Sequence, residues 1–327
     1  MTSTLQGERI ATVSRMAEDL GVGQLFVCDP PTLQWLGAGD GDGSWMRIDD
    51  GVGRVVPAAT GRLSEDFSSQ QGSPRIFVPA RPERRAGAAS ELTAAIAAAR
   101  AVKDADELER ICAAAELVEA GHRGLREAIA RGVSESELWD AAAEAIGAAG
   151  GISETAGVDL MVGPRTALIG EPPGDARLTD GDPILFDLAP LHDGYWADSC
   201  ATLVCGDPTA ALSERLAIVE MALERGLDAA RPGVTAGAVD CAIREVLAAA
   251  GLKCPHHTGH GVGISAQEPP WFVPGDSFVL DAGMVIALEP GAYSGGFGAR
   301  VEHLAVVGAD GATPITKHPL TLTPERR

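Results

Sequence analysis

PILFDLAPLHDGYWADSCATLV, residues 183–204, reads as two apolar strand segments around a tight turn, each segment carrying one carboxylate. Asp187 lies in the first and Asp198 in the second, and Asp193-Gly194 between them is a strong hairpin signal. With the turn centred between His192 and Asp193, Asp187 and Asp198 face each other directly. Opposed side chains on a ladder have Cβ atoms about 5 Å apart, where two anions destabilise the sheet unless a cation lies between them. The expected resolution is a bound metal.

The pattern repeats downstream. Met284 to Glu289 and Arg300 to Val307 are apolar segments whose connection contains Gly295-Gly296, so Glu289 and Glu302 form a second opposed pair, subject to a bulge. Four carboxylates suit hard divalent ions, and one imidazole shifts the choice from calcium toward manganese, iron, cobalt or zinc. The candidate imidazole is His260 in HHTGHGVG, residues 256–263, whose glycines allow close backbone approach. Two such ions can hold a bridging hydroxide for attack on a carbonyl.

The remaining sequence frames this site. A helix near residues 5 to 20, short apolar runs at 24–28, 53–56 and 75–78, a Pro-Pro turn and a Gly/Asp-rich loop at 37–43 read as a small α/β unit. An alanine-rich helix at 86–99 leads to a boundary, giving domains 1–99 and 100–327. Helices from Asp104, after Ser134 with its acidic first turn, and at 208–225 and 236–250 alternate with hairpin signals, which predicts an α+β arrangement of antiparallel strands under helices. The six cysteines form no CxxC pair and read as small buried hydrophobes, Cys200 and Cys205 included; Trp196 and Trp271 fall near the site, and His318 has no sequence partner and is expected to be exposed.

Charge excludes some partners. With 26 Lys and Arg against 46 Asp and Glu, the net charge of −20 repels nucleic acid and anionic membrane surfaces. The polar N-terminus lacks a secretory h-region, and no apolar run is long enough to span a bilayer, so a cytoplasmic location is expected.

The motifs FDLAPLHDGYWADS, HTGHGVG followed by EPP, ALEPG and RVEHLAVV, with RAVK at 100–103 opening a helix, cover residues 100–310 and resemble the pita-bread metallopeptidases. That family includes Xaa-Pro aminopeptidases, prolidases, methionine aminopeptidases and creatinase. The resemblance implies a C-terminal pita-bread fold, with Asp187, Asp198, His260, Glu289 and Glu302 as ligands of two divalent metal ions. It also implies Glu289 as general base, His256 as a retained histidine at the site mouth, and a homodimer. The N-terminal unit looks like a shortened prolidase-type domain.

Three positions depart from the family pattern. Ile169-Gly170-Glu171-Pro172 stands where the family reads His-Gly-x-Pro, Gln267 replaces a second histidine, and Ala201 stands in place of an arginine. Ile carries no titratable proton and Gln only hydrogen-bonds. Each lost oxyanion-type donor costs roughly 3 kcal/mol of transition-state stabilisation. The expectations are therefore an Xaa-Pro peptidase-like hydrolase acting on small peptides, with Gln267 in a hydrogen-bonding role; a repurposed metalloenzyme acting on a small non-peptide molecule; or a non-catalytic binding module.

Overall fold

The computed structural model describes residues 2–20, 22, 24–27, 30–37, 45–49, 52–56, 76–77, 88–151 and 159–320. The chain divides into two compact units, residues 1–101 with 267–269, and residues 102–266 with 270–327. Among the described residues no helix is long and apolar enough to cross a membrane.

The first unit holds α1 (Thr2–Asp19), β1 (Gln24–Val27), α2 (Pro30–Trp35), β2 (Trp45–Asp49), β3 (Val52–Val56), β4 (Ile76–Phe77) and α3 (Ala88–Ala101), its sheet ordered β3-β2-β1-β4. Val13, Leu25, Val27, Leu33, Met46, Ile48, Leu92 and Ile96 are buried in it. The Pro-Pro pair opens a short helix instead of a turn, since proline presets the φ of a first helical residue and its missing N–H costs nothing there. Beyond Gly37, the Gly/Asp-rich loop lies outside the described residues. At the end of α3, buried Arg100 pairs with Glu268 at 2.5 Å and donates to Thr32, which fastens residues 267–269 to this unit.

The second unit begins with α4 (Ala105–Ala128) and α5 (Glu135–Ala148), each opened by a capping box, Asp104 with Glu107 and Ser134 with Glu137. Next come β5 (Asp159–Val162), a 3-10 turn (Gly163–Ala167), β6 (Pro183–Leu188), β7 (Leu191–His192), β8 (Tyr195–Trp196) and β9 (Ser199–Val204). The sheet β5-β6-β9 has two different faces. Ile184, Phe186 and Leu188 pack on Leu117, Leu125, Leu138 and Ile146 of the helices, while Leu185 joins Met161 and Cys200 on the other side. Strand alternation puts Asp187 on that second face.

Helices α6 (Ala210–Ala229) and α7 (Ala236–Ala249) lead into β10 (Gly259–Gly261), β11 (Glu268–Trp271), β12 (Val285–Leu288), β13 (Gly291–Ser294), β14 (Phe297–Arg300), β15 (His303–Gly308) and β16 (Gly311–Pro314). β10, β12, β15 and β16 lie side by side in an antiparallel sheet, and β13 and β14 make a separate ribbon.

The first hairpin corrects the expected register. His192 pairs with Tyr195 and Asp187 with Cys200, so the turn is centred between Asp193 and Gly194 and Asp198 lies beyond the end of β9. The reason is conformational: both central residues of this turn have positive φ, 45° at Asp193 and 80° at Gly194. A centre one residue earlier would force His192 into that region. On its other edge β6 pairs with β5, where Asp159 faces Asp187. The opposed anion exists, then, but it is Asp159. The second hairpin keeps the expected register: Leu288 pairs with His303 and Gly291 with Arg300, which sets Glu289 opposite Glu302 with Gly295-Gly296 at the turn.

Replacing Gly194 by alanine should cost about 1 kcal/mol in urea unfolding, because an L-residue resists its positive φ. Gly147→Ala, in a helix with open space around it, should instead stabilise by about 0.5 kcal/mol.

Candidate metal centre

Glu289 and Glu302 sit where the long hairpin breaks between two ladders. Pro290 has no N–H to continue the pairing. At the break each glutamate turns its backbone outward, Glu289 N donating to Thr258 O and Glu302 N to Cys200 O, both at 2.9 Å. Arg300 N and O both bond the Thr202 hydroxyl. The same few residues therefore stitch β9, the ribbon and the second sheet together, and bring carboxylates from both hairpins into one interior.

The histidine loop is held from behind by α7. Arg244 donates to Asp240 and to the carbonyls of Cys254 and His256, and Asp240 also accepts from the Thr258 hydroxyl at 2.7 Å. A Cβ at Gly259 would collide with the Ala287 carbonyl, so only glycine lets β10 lie this close to β12. His260 Nδ1 lies 3.0 Å from Gly261 O and must donate to it, which turns Nε2 toward Asp198 Oδ2 at 3.6 Å and Glu289 Oε1 at 3.5 Å. Ligand atoms of Asp198, His260 and Glu302 lie within 4.8 Å of one another, as do those of His257, His260 and Glu289.

Asp187 joins this cluster directly, its side chain hydrogen-bonded to that of Asp198, and it is also held by Arg300. One nitrogen, Nη2, donates to Asp159 Oδ2 at 2.6 Å and to Asp187 Oδ2 at 2.7 Å, while Nε faces the Cys200 thiol and Nη1 donates to the Tyr293 hydroxyl. The cation needed between opposed anions is, for this pair, a guanidinium. Cys200 is buried as expected, and its thiol is also in contact with the charged network. His256 Nδ1 donates to His257 O, leaving Nε2 to accept from Tyr293 at 3.0 Å, and His257 Nε2 bonds Glu289 Oε1 at 2.8 Å.

Trp271 lies with its ring 5.8 Å from His257 and 6.2 Å from His260. Ile169 and its neighbour Leu168 are 42% and 48% exposed, Ala201 is buried in the helix-facing core, and Gln267 belongs to the stretch that clusters with residues 1–101. His318, expected at the surface, is 3% exposed, stacked on His122. Asp159, Arg300, Tyr293 and His257 were not singled out from sequence. The only sequence signal for them is their placement: Arg300 two residues before Glu302 and His257 beside His256.

The electrostatics are those of a site short of positive charge. Burial, then Glu289 and Asp159, push Asp187 up to about 7 against the pull of Arg300, and burial with neighbouring carboxylates raises Asp198 and Glu302 well above the usual range. Glu289 goes the other way: burial opposes ionisation, but the His257 hydrogen bond and the charges of His260, His257 and Arg300 hold it down at about 2. Burial lowers His256, and it raises Tyr293, so the phenol stays a donor. Among the described residues, Asp187 Oδ1 and both carboxylate oxygens of Glu302 are buried without a hydrogen-bond partner. Orphaned anionic oxygens beside an imidazole aimed at carboxylates fit a divalent cation.

A helix-backed pair of sheets carrying this donor set is the architecture of a metal-binding site. The profile of metallopeptidase family M24 matches residues 109–309, and the chain belongs to that family. It is 36% identical over 224 residues to the probable dipeptidase PepE of Mycobacterium tuberculosis H37Rv, covering 67% of this chain and 60% of that protein. It is 32% identical over 231 residues to an Xaa-Pro dipeptidase of Lactobacillus delbrueckii, covering 69% and 62%. The chain thus aligns with less than two thirds of these relatives' length. The crystal structure of dipeptidase PepE from Mycobacterium ulcerans superposes with a TM-score of 0.80 at 26% identity, over 99% of this chain and 98% of that one. The α+β, pita-bread expectation is borne out.

Two outcomes test this electrostatic and structural account. A carboxyl whose folded pKa lies above its unfolded value stabilises the fold while protonated, and that contribution is lost as pH rises from the unfolded value through the folded one, here from about 4 to about 7. In excess chelator, the melting temperature of Asp187→Asn relative to the parent should therefore climb between pH 4 and pH 7, by about 5 °C, and level off above. A flat difference contradicts the assignment. Arg244→Met, which keeps the side-chain stem but drops the carbonyl clamps, should weaken manganese binding about 10-fold in calorimetric titration.

Proposed function

We propose that this protein is a dinuclear-metal dipeptidase of the Xaa-Pro type, holding two divalent cations through Asp187, Asp198, His260, Glu289 and Glu302. The observation that carries the reading is the convergence of the buried carboxylates of Asp198, Glu289 and Glu302 on His260, with the oxygens of Glu302 and one of Asp187 lacking any hydrogen-bond partner. The names of the relatives support dipeptides as the substrate class. Manganese, iron, cobalt and zinc all suit this oxygen-rich set with one imidazole. When bound, the metal pair supplies a water acidified toward neutral pH and Lewis-acid polarisation of the scissile carbonyl.

The protein's own groups do the rest. Arg300 keeps Asp187 partly ionised and fixes its orientation. Glu289, hydrogen-bonded at Oε1 by His257, is ionised and so able to accept a proton, and it serves as the general base and then returns that proton to the leaving amine. His256, neutral and with its tautomer fixed by the His257 carbonyl and the Tyr293 hydroxyl, orients the substrate at the mouth. A cytoplasmic homodimer belongs to the same reading.

One observation favours a second reading. The exposed pair Leu168 and Ile169 offers an apolar surface where the family pattern has a histidine, which suits a small non-peptide substrate. Protein purified without chelator, assayed for bound metal and then on a panel of Xaa-Pro and other dipeptides, separates the two. The proposal expects about two equivalents of metal and turnover abolished by chelation. Metal without turnover on any dipeptide points to the second reading, and protein that takes up no manganese sinks both.

A further inference from the structure

The five ligands named above leave out His257, although its ring stands closer to Glu289 than that of His260 does. His257 Nε2 lies 2.8 Å from Glu289 Oε1, and the same oxygen lies 3.5 Å from His260 Nε2. Ligand atoms of these three side chains fall within 4.8 Å of one another. Neighbouring donors on one ion, each bound at about 2.1 Å, stand roughly 3 to 3.5 Å apart, so the separations suit a shared cation as well as a hydrogen bond.

The ring is aimed by what holds its neighbours. His256 O accepts from Arg244, and His256 Nδ1 donates to His257 O. On the other side Thr258 N donates to Phe272 O and its hydroxyl to Asp240. The His257 ring meets the rings of His260 and Trp271 edge-on, with centroids 5.5 and 5.8 Å away. His260 is 1% exposed, whereas the His257 side chain is 27% exposed, so solvent and an arriving ion reach the pair from the His257 side.

His260 Nε2 has one lone pair and can serve one ion only. It belongs to two groups: an oxygen-rich one with Asp198 and Glu302, and one of two imidazoles and a carboxylate with His257 and Glu289. The second group is the donor set of catalytic zinc sites that keep an open position. We propose that His257 is a sixth metal ligand, which gives up its Nε2 proton to solvent and binds the ion at His260, so that this ion carries two imidazoles and the site selects zinc over manganese. Glu289 then shares the ion with His257 instead of accepting its hydrogen bond. The inference rests on the metal assignment made above and narrows the cation it takes, since added imidazole favours zinc while carboxylates alone suit manganese.

The test uses full-length, chelator-stripped protein and two variants: His257→Phe, which keeps an aromatic ring but has no donor atom, and His257→Gln, which can still donate a hydrogen bond to Glu289. Each is loaded with one equivalent of zinc, X-ray absorption counts the imidazoles on the ion, and calorimetric titration measures zinc and manganese affinity. The expected result is two imidazoles in the parent and one in each variant, with zinc bound about 100-fold and manganese about 10-fold more weakly in both variants. One imidazole in the parent overturns the inference and leaves the metal assignment standing, as does His257→Gln binding zinc like the parent, because the ring then acts only as a hydrogen-bond donor. The parent's own count decides the matter even where a variant fails to fold. A parent that takes up neither zinc nor manganese removes the metal assignment and this inference together.

Discussion

Arg300 is the side chain on which the interior depends. Its guanidinium is buried at 3% exposure and meets Asp159, Asp187, Cys200 and Tyr293, with Glu289 Oε2 4.0 Å away. A buried charge of either sign is tolerated only when paired. Here one cation faces Asp159, Asp187, Asp198, Glu289 and Glu302, so pairing is incomplete by construction, and the raised pKa values of Asp187, Asp198 and Glu302 express the shortfall. Folding tolerates that deficit because the helix-facing side of the same sheet is fully apolar, with Ile184, Phe186, Leu188, Leu203 and Leu138 all at 0% exposure. The stability–function trade-off is thus divided between the two faces of a single sheet.

The backbone explains why the charged groups meet. A carboxylate in the middle of an uninterrupted ladder points wherever the pleat sends it, but Glu289 and Glu302 lie at a gap in theirs. Val301 N still donates to Pro290 O across the hairpin, while the N–H groups of Glu289 and Glu302 point outward, to Thr258 O on the approach to β10 and to Cys200 O on β9. No backbone donor of the two glutamates is left unpaired. The bond from Glu302 N to Cys200 O ties the second hairpin to β9, the strand that follows Asp198. Asp240 and Arg244 do the equivalent work for the histidines, converting an irregular loop with several free carbonyls into a rigid one.

What the sequence revealed follows the range of the interactions. The glycine pair at 295–296 sets the second hairpin's register locally, and opposition of Glu289 and Glu302 could be read from it. The first hairpin was one residue off because Asp-Gly marks a turn without stating its centre. Requiring positive φ at both central residues would have excluded His192 and placed Asp198 past the strand. Asp159 was illegible for a different reason: nothing in the sequence says that β5 pairs with β6. Arg300, Tyr293 and His318 depend on partners from distant segments, and a histidine beside proline near the end of the described chain carries no mark of burial.

The departures at Ile169 and Gln267 gain meaning from the charge account. Holding several carboxylates in the dry interior costs stability, and random substitution relieves such a cost easily, since a single Asp→Asn or Glu→Gln change would do it. Two polar positions expected on the substrate side have changed, whereas Asp187, Asp198, His260, Glu289 and Glu302 are all present, together with Arg300 and the Asp240–Arg244 clamp that orient them. A chain that had lost its chemistry would have no reason to keep the destabilising half. The proposed metal site accounts for why such a cluster is kept at that cost, and the changed positions bear on which molecule would be presented to it.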